Sequence, residues 1–431
     1  MDNLDKNLGV LDTPWKLKFY PNRILALLDG YVDRNIPVTV HFAPTLRCNH
    51  QCYFCTYGNA KKNNSNMEMP LENAKRYICQ LKEAGVEGLI FTGGGDPLCH
   101  NGIIEMMETC NKVGLTFSIN TNGLALTPEL SEKILHLKPA YIRVSINAGS
   151  RAIQEIMSSV DDFEKVLKNF EALMRNRIML DSDTPLSIAY VVGVTNYFDV
   201  ENLYEQIAKV EKRVYEDLKV HVSINITIRP IYNYECSKLF NLPIYEKTME
   251  YLRKRSSEEA DEYERFIKNG EQTSHKFLNE AVETIKNRLW KKTKQGEFEN
   301  EPCDHEIKVY FPAEKFKSIG ITTEKPYEQC LGLCFYAFVW PDGNIFPCVE
   351  YAGTNGFDIG NLNEKSAKDI FSSEERRNKN DWINKCVVHK RCAKICAYHE
   401  VNCYLDKILK GDAAYKSKET TDNIPMIAKF I

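Results

Sequence analysis

Three cysteines stand within eight residues near the start of the chain, in the run Cys48-Asn-His-Gln-Cys52-Tyr-Phe-Cys55. Thiolates are soft ligands, which bind iron–sulfur clusters or zinc rather than hard cations. A four-iron cluster is normally held by four thiolates, so a triplet without a nearby fourth cysteine leaves one iron open to another ligand. A structural zinc site is the alternative, but it usually needs a second cysteine pair within about 15–20 residues. The next cysteine is Cys79, inside an amphipathic helical pattern, so the spacing favours an iron–sulfur cluster.

A second cysteine-rich region lies near the end of the chain. Its members are Cys330, Cys334, Cys348, Cys386, Cys392, Cys396 and Cys403. The intervening Pro341-Asp342-Gly343 is a hairpin-turn signal, which predicts that the chain returns Cys348 towards Cys334. A disulfide scaffold is the alternative to metal binding. Which of the two is expected depends on whether the protein resides in an oxidising or a reducing compartment.

The compartment is indicated by the absence of an export signal. The N-terminus carries acidic residues and lacks a continuous apolar segment, so we expect a cytoplasmic protein. In that setting disulfides are disfavoured, and grouped cysteines among the 15 of this chain are more often metal ligands. A net charge of −3 gives no reason to expect nucleic acid or an anionic membrane as a partner. No apolar run reaches the roughly 20 residues of a membrane-spanning helix.

The elements that must position these cysteines alternate between strand and helix patterns. Strand-like segments lie at residues 38–42, 88–92, 115–119, 141–146, 186–194 and 220–228, with helical patterns between them. Six β/α units in sequence predict parallel strands with helical crossovers, in an open sheet or a partial barrel. Chemistry in such folds lies at the carboxyl ends of the strands. From about Tyr245 to Gln295 the chain is charged and helical, which indicates a linker or a lid.

The CxxxCxxC spacing at the end of the first strand resembles the signature of the radical S-adenosylmethionine superfamily. The resemblance implies an α/β fold with a partial (β/α)6 parallel barrel, a helical linker and a small cysteine-rich α+β domain of the SPASM type. The expected boundaries are an N-terminal lead over 1–35, the barrel over 36–240, the linker or lid over 241–325 and the SPASM-type domain over 326–431.

The same resemblance implies a cofactor site. A [4Fe-4S] cluster on Cys48, Cys52 and Cys55 would bind S-adenosylmethionine through its open iron and cleave it reductively to a 5′-deoxyadenosyl radical. Phe54 matches the aromatic residue that packs against the adenine. The remaining residues that the resemblance assigns to S-adenosylmethionine are Gly94, Gly95, Asp96, Asn120, Ser145, Asn147 and Val194.

Within that set, Asp96 stands where the superfamily usually has glutamate, and it is expected to contact the methionine moiety. The polar residues at strand ends have a second interpretation, because such side chains also cap helices.

The distal cysteines resemble the SPASM extension, which carries auxiliary [4Fe-4S] clusters. The family's pairing implies one cluster on Cys330, Cys334, Cys348 and Cys396, and a second on Cys386, Cys392 and Cys403. Ile383 occupies the position of the cysteine that would complete the second set. The missing ligand could be supplied by a carboxylate, His389, Cys303 or the substrate. Alternatively, the second cluster is absent and the chain carries a single auxiliary cluster.

Together these features predict a radical oxidoreductase that receives electrons from a flavodoxin or ferredoxin and passes them through auxiliary clusters. We expect dehydrogenation, dehydration or epimerisation of a small polar metabolite such as a sugar or sugar nucleotide. A peptide maturase that forms a thioether, a carbon–carbon crosslink or an epimer is the alternative. Only 47 residues precede Cys48, too few for a leader-binding winged helix, which favours the small substrate.

Two further hypotheses concern the class of protein and the fate of the substrate radical. A non-enzymatic iron–sulfur electron carrier would not need the glycine–aspartate turn or the polar strand ends. Cys236, shortly after the sixth strand, is a candidate hydrogen-atom donor for an epimerase, with a buried packing cysteine as the alternative.

Overall fold

The structure is a computed structural model of the whole chain. It describes residues 14–28, 36–58, 66–231, 242–268, 283, 285, 287, 307–311, 325–388, 392, 396–411 and 426–430.

Nine strands form one sheet among the described residues. They are β1 (Thr39–Phe42), β2 (Gly88–Phe91), β3 (Thr116–Thr121), β4 (Ile142–Ser145), β5 (Leu186–Val192), β6 (Ile224–Pro230), β7 (Ile307–Tyr310), β8 (Tyr336–Val339) and β9 (Ile345–Phe346).

The helices fall mostly between the strands. They are α1 (Pro21–Leu28), α2 (Leu71–Ala84), α3 (Ile103–Val113), α4 (Pro128–His136), α5 (Arg151–Ser158), α6 (Phe163–Met179), α7 (Val200–Leu218), α8 (Leu242–Arg255), α9 (Ser257–Lys268), α10 (Ala367–Ser372), α11 (Glu374–Cys386) and α12 (His399–Leu409). Helix α2 begins after Pro70 and ends at Gly85, as its periodicity predicts.

The order across the sheet is β7-β6-β5-β4-β3-β2-β1-β8-β9. Every neighbouring pair is parallel except the β8–β9 hairpin. The six predicted strands therefore lie side by side in chain order, which confirms the parallel α/β prediction. Three strands from later in the chain extend this array, β7 at one side and the β8–β9 hairpin at the other.

Alternation along each strand separates two faces of the sheet. Apolar residues on one face, such as Phe117 of β3 and Val144 of β4, belong to the main core together with the buried faces of the surrounding helices. Residues at the intervening positions lie on the opposite, inner face, which is largely polar on β3 to β6. The strands thus present a polar interior inside an apolar shell.

The C-terminal region is joined to the barrel through β8. Residues Tyr336–Val339 pair with β1 from Thr39 to Phe42, so the cysteine-rich region continues the barrel sheet. A second core beneath it also includes N-terminal residues such as Leu17 and Ile24. The N-terminal lead therefore packs with the C-terminal region.

Helices α8 and α9 pack against the barrel. Tyr251 of α8 stacks on Phe198 and donates a 3.3 Å hydrogen bond to Ser150, while Tyr263 of α9 contacts Phe198 edge-on. Leu252 is fully buried in the main core. These two helices cover the side of the barrel near the ends of β4 and β5.

None of the helices that the structure describes is both long enough and apolar enough to cross a lipid bilayer.

Candidate functional site

The first cysteines lie on the segment 43–58 after β1, which we call the cysteine loop. Cys48, Cys52 and Cys55 are half-buried and form no disulfide. The amide of Cys55 donates to the carbonyl of Cys52, which closes a turn between the last two thiols. The thiols therefore lie at the carboxyl ends of the strands, where we expected them.

The cysteine loop rests directly on the glycine turn that follows β2. The amide of Gly95 donates to the Thr45 carbonyl and that of Asp96 to the Arg47 carbonyl, each at 3.0 Å. A Cβ atom on Gly95 would collide with these backbone atoms, so only glycine allows this approach. Gly93 has φ +141°, a conformation that also requires glycine. The glycines thus position the cysteine loop.

Asp96 connects the ends of β2 and β3. Its buried carboxylate accepts hydrogen bonds from Leu98 N at 2.9 Å, Asn122 N at 2.6 Å and the Thr121 hydroxyl at 2.9 Å. Burial raises the pKa of Asp96, and these hydrogen bonds oppose the increase. In the structure this carboxylate holds its own loop and the one after β3. Its predicted contact with the methionine moiety stays a prediction.

Asn122, which follows β3, brings a side-chain amide to the cysteine loop. Its Nδ2 donates to Asn49 Oδ1 at 2.6 Å and lies 3.8 Å from Cys48 Sγ, while its Oδ1 accepts from Leu124 N. Through Asp96 and Asn122 the first thiol is connected to two neighbouring strand ends.

A buried hydrogen-bond network anchors the middle of the cysteine loop, and the sequence did not reveal it. His50 Nε2 lies 2.6 Å from Asp162 Oδ2, and Gln154 Nε2 donates to Asp162 Oδ1 at 2.8 Å. All three side chains are nearly inaccessible to solvent. The Gln51 amide also donates to Ser158 O. Together these contacts join the loop to the junction of α5 and α6, and we call the three side chains the His50 brace.

The far side of the cysteine loop is held at the end of β5. Tyr53 donates a 3.0 Å hydrogen bond to the Thr195 hydroxyl and packs edge-on against Phe54. Beside it, Asn196 donates to the backbone oxygens of Asn147 and Val191. The segment after β5 is thereby fixed relative to β4 and the cysteine loop.

The predicted S-adenosylmethionine residues lie around this opening. Asn147 Oδ1 accepts a hydrogen bond from Val191 N at 2.7 Å, so this side-chain oxygen joins the end of β4 to β5. Phe54, Ser145 and Val194 are half-buried at the strand ends. Asn120 lies on the inner face of β3, one position before its last residue.

A polar row crosses the inner face of the barrel. Asn120, Arg143, Ser187 and Asn225 are successive register partners on β3, β4, β5 and β6. Four buried oxygens on this face have no hydrogen-bond partner among the described residues: Ser118 Oγ, Asn120 Oδ1, Ser187 Oγ and Thr227 Oγ1. Buried polar atoms are nearly always hydrogen-bonded, so the interior is built to receive polar groups.

The distal thiols gather beside β8. The hydrogen bond with the Cys392 thiol, together with burial, raises the pKa of Cys396. Burial raises the pKa of Cys348, and the charges of Cys396 and Cys330 act in the same direction. Burial also raises the pKa of the Cys330 thiol to about 12. Cys330, Cys348, Cys392 and Cys396 therefore lie near one another, and we call them the C-terminal thiol cluster. The predicted set had Cys334 in place of Cys392; Cys334 is buried in the turn just before β8, and its place in a cluster stays a prediction.

Tyr57 lies between the two cysteine regions. Burial raises its pKa, as do the nearby charges of Glu350, Cys55 and Cys348. Its ring contacts Phe338 and Trp340 of the C-terminal region, each at 5.8 Å between centroids. One aromatic side chain thus spans the junction between the cysteine loop and the C-terminal thiol cluster.

The remaining distal residues lie around α11 and α12. Ile383 is buried in the second core, where it packs as an ordinary apolar residue. Cys403 Sγ lies 3.6 Å from His399 Nε2, one helical turn earlier. The predicted Cys236 and the alternative ligands His389 and Cys303 lie outside the described residues.

Both donor sets suit iron–sulfur clusters by ligand type, although the described residues contain no group of three or more His, Cys, Asp or Glu side chains already arranged to hold a metal ion. Each consists of thiols without disulfide bonds, and each receives an amide hydrogen bond or close approach at sulfur, from Asn122 in the first set and Asn402 in the second. The orphaned oxygens of the inner face fit a polar cofactor or substrate beside the first set.

Two family models match the chain. The model of the radical SAM superfamily matches residues 42–207, and that of the SPASM iron–sulfur cluster-binding domain matches residues 330–404. The first contains the cysteine loop and the ends of β1 to β5, and the second contains all seven distal cysteines.

Curated relatives are similar over part of their length. The AdoMet-dependent heme synthase of Methanosarcina barkeri is 26% identical over 172 residues, which cover 40% of this chain and 47% of that protein. The mycofactocin maturase MftC of Mycolicibacterium smegmatis is 24% identical over 139 residues, covering 32% of this chain and 34% of MftC. The chain thus spans less than half the length of these relatives.

Among solved structures, Streptococcus suis SuiB bound to the precursor peptide SuiA superposes with a TM-score of 0.54 at 15% identity. The superposition covers 94% of this chain and 80% of SuiB. SuiB bound to S-adenosylmethionine gives a TM-score of 0.52. At this level of identity the likeness establishes the shared fold.

Proposed function

Because the chain belongs to the radical S-adenosylmethionine superfamily and carries a C-terminal SPASM domain, we propose that it oxidises or rearranges a small polar metabolite such as a sugar or sugar nucleotide. Cys48, Cys52 and Cys55 would hold the [4Fe-4S] cluster that binds S-adenosylmethionine. When bound, these cofactors supply the reductive cleavage to methionine and a 5′-deoxyadenosyl radical, which removes a hydrogen atom from a substrate carbon.

The observation that carries the substrate class is the polar row on the inner face of the barrel. Its hydroxyl and amide groups lie below the strand ends, where a reacting carbon must approach the cysteine loop. Buried oxygens without partners favour a ligand that brings its own donors and acceptors. A hydroxyl-rich metabolite has this character, whereas an apolar substrate would leave these groups unsatisfied.

The C-terminal thiol cluster would hold an auxiliary iron–sulfur cluster. A flavodoxin or ferredoxin would supply the electrons that the enzyme needs. Removing a hydrogen atom leaves an electron on the substrate radical, and oxidation of that radical needs an acceptor. A buried cluster joined to the barrel through the β1–β8 pairing would serve as this acceptor.

The proposal is tested with anaerobically reconstituted protein. Dithionite-reduced enzyme and S-adenosylmethionine should give 5′-deoxyadenosine, and deuterated sugars or sugar nucleotides should transfer label into it. If label were transferred only from a deuterated peptide, the substrate would be a peptide and the protein a peptide maturase. Without any 5′-deoxyadenosine, the radical function itself fails and an electron carrier becomes the better explanation.

A variant connects the substrate class to the orphaned oxygens of the inner face. Thr227→Val removes one orphaned hydroxyl without changing side-chain shape, and we expect it to raise KM for the labelled metabolite by about tenfold, equivalent to one hydrogen bond. Thr109→Val, on the outer helix α3, is the matched control and should leave KM unchanged. Equal KM values for both variants would mean that the orphaned oxygens of the inner face do not bind the substrate.

A further inference from the structure

Cys330 is held by two asparagines that act on different atoms. The Cys330 backbone amide donates to Asn384 Oδ1, from α11, at 2.8 Å. Asn402 Nδ2, from α12, donates to Cys330 Sγ at 3.3 Å. One asparagine therefore positions the backbone, and the other reaches the sulfur itself.

Asn402 is completely buried and its carboxamide is oriented by a second contact. Its Oδ1 accepts from Gly332 N at 2.7 Å, which fixes the orientation of the amide and directs Nδ2 at the thiol. A neutral donor in this position stabilises negative charge on sulfur.

Negative charge on sulfur is what changes when an iron–sulfur cluster is reduced. Hydrogen bonds to the cysteine sulfurs are among the features that set cluster reduction potentials, because they stabilise the more negative, reduced form. The backbone amide of Tyr398 donates to Cys396 Sγ at 3.3 Å, so a second thiol of the same cluster also receives a donor. Unlike this backbone donor, Asn402 can be removed by substitution.

We propose that Asn402 raises the reduction potential of the auxiliary cluster through its hydrogen bond to Cys330. Asn402 acts as a positioning residue, since it touches the ligand sulfur and not the substrate. The inference rests on the proposed function only in requiring that the C-terminal thiol cluster binds an iron–sulfur cluster. A higher potential would make that cluster a better acceptor of the electron left on the substrate.

The experiment compares Asn402→Ala with Asn384→Ala, in full-length protein whose Cys48, Cys52 and Cys55 are replaced by alanine. Only the auxiliary cluster then contributes to a redox titration followed by electron paramagnetic resonance. We expect Asn402→Ala to shift the midpoint to a more negative potential and Asn384→Ala to leave it unchanged. The Asn384 variant loses a contact to the same cysteine but no donor to sulfur.

Asn402→Leu covers the case in which the alanine variant does not fold. It fills a similar volume, adds no charge and has no amide donor, and it should also shift the midpoint to more negative values. If the iron-loaded Asn402 variants kept the parent's midpoint potential, this inference would be overturned while the proposed function would stand. Equal shifts in the Asn402 and Asn384 variants would have the same consequence. Absence of iron from the parent protein would overturn the auxiliary cluster and the inference together.

Discussion

The two cysteine regions of this molecule present the same kind of ligand, the cysteine thiol, in different surroundings. Cys48, Cys52 and Cys55 are half-buried on a loop at the open ends of the strands, which is fixed by side chains from three surrounding segments, those of Asn122, Asp162 and Thr195. In the C-terminal thiol cluster, Cys348 and Cys396 are buried and two thiols receive direct N–H donors. An open site suits a cluster that must bind a ligand at iron, whereas an enclosed site suits one that only exchanges electrons.

The largest expected effect separates these roles. Cys52→Ala should abolish formation of 5′-deoxyadenosine, because the cluster proposed to bind S-adenosylmethionine loses a ligand. Cys396→Ala should still cleave S-adenosylmethionine but lose substrate oxidation, because only the electron acceptor is removed. Chromatography of 5′-deoxyadenosine and product measures both activities.

Cys79→Ser is the control for that pair, since this cysteine lies on α2 away from both groups, and its iron content should equal that of the parent. If Cys396→Ala also lost 5′-deoxyadenosine, the two regions would form one functional unit and the comparison would not hold.

A smaller effect is expected where the cysteine loop is braced. Asp162→Ala leaves His50 and Gln154 buried without their shared acceptor, which should lower the free energy of unfolding by about 1–3 kcal/mol. Because the brace supports the loop rather than the C-terminal region, a chelator should remove iron from the first cluster faster while the auxiliary cluster keeps its rate.

The neighbouring Asp161 provides a matched control. It is an exposed carboxylate paired with Arg151, and Asp161→Ala should change neither stability nor the rate of iron loss appreciably. Faster iron loss from both clusters in Asp162→Ala would mean that the brace stabilises the whole molecule and not the cysteine loop.

The comparison also explains what the sequence could and could not predict. The six-strand array followed from local periodicity, and the first cysteines followed from their spacing. The pairing of β8 with β1 did not, because the short apolar run Tyr336–Val339 fits a free hairpin as well as a barrel edge. Only the unpaired edge of β1, distant in sequence, selects between them.

Site residues were missed for a similar reason. His50 stands between two cysteines and has the appearance of a spacer, while its partner Asp162 is 112 positions away. Asp96 was assigned by resemblance to the methionine moiety, and its hydrogen bonds to the ends of β2 and β3 were not predicted. Contacts between distant loops depend on how the strand ends converge, which no local pattern records.

The last expected effect concerns pH and belongs to neither cysteine region. Asp199 is buried at the start of α7, where it accepts hydrogen bonds from Gly149 N and Ser150 and faces Arg255 of α8. Burial raises its pKa from 3.8 to about 6. Since the folded state binds this proton more tightly than the unfolded state, its contribution to stability is complete below about pH 4 and is lost as the pH rises through 6.

Asp199→Asn cannot ionise, so its free energy of unfolding should lack that decline, which is at most about 3 kcal/mol between pH 4 and 7. Chemical denaturation at several pH values measures the difference between the parent and the variant. A decline that persists in Asp199→Asn would assign the pH dependence to other groups. The iron content of both clusters should stay constant in this series, because Asp199 holds α8 against the barrel and contacts no cysteine.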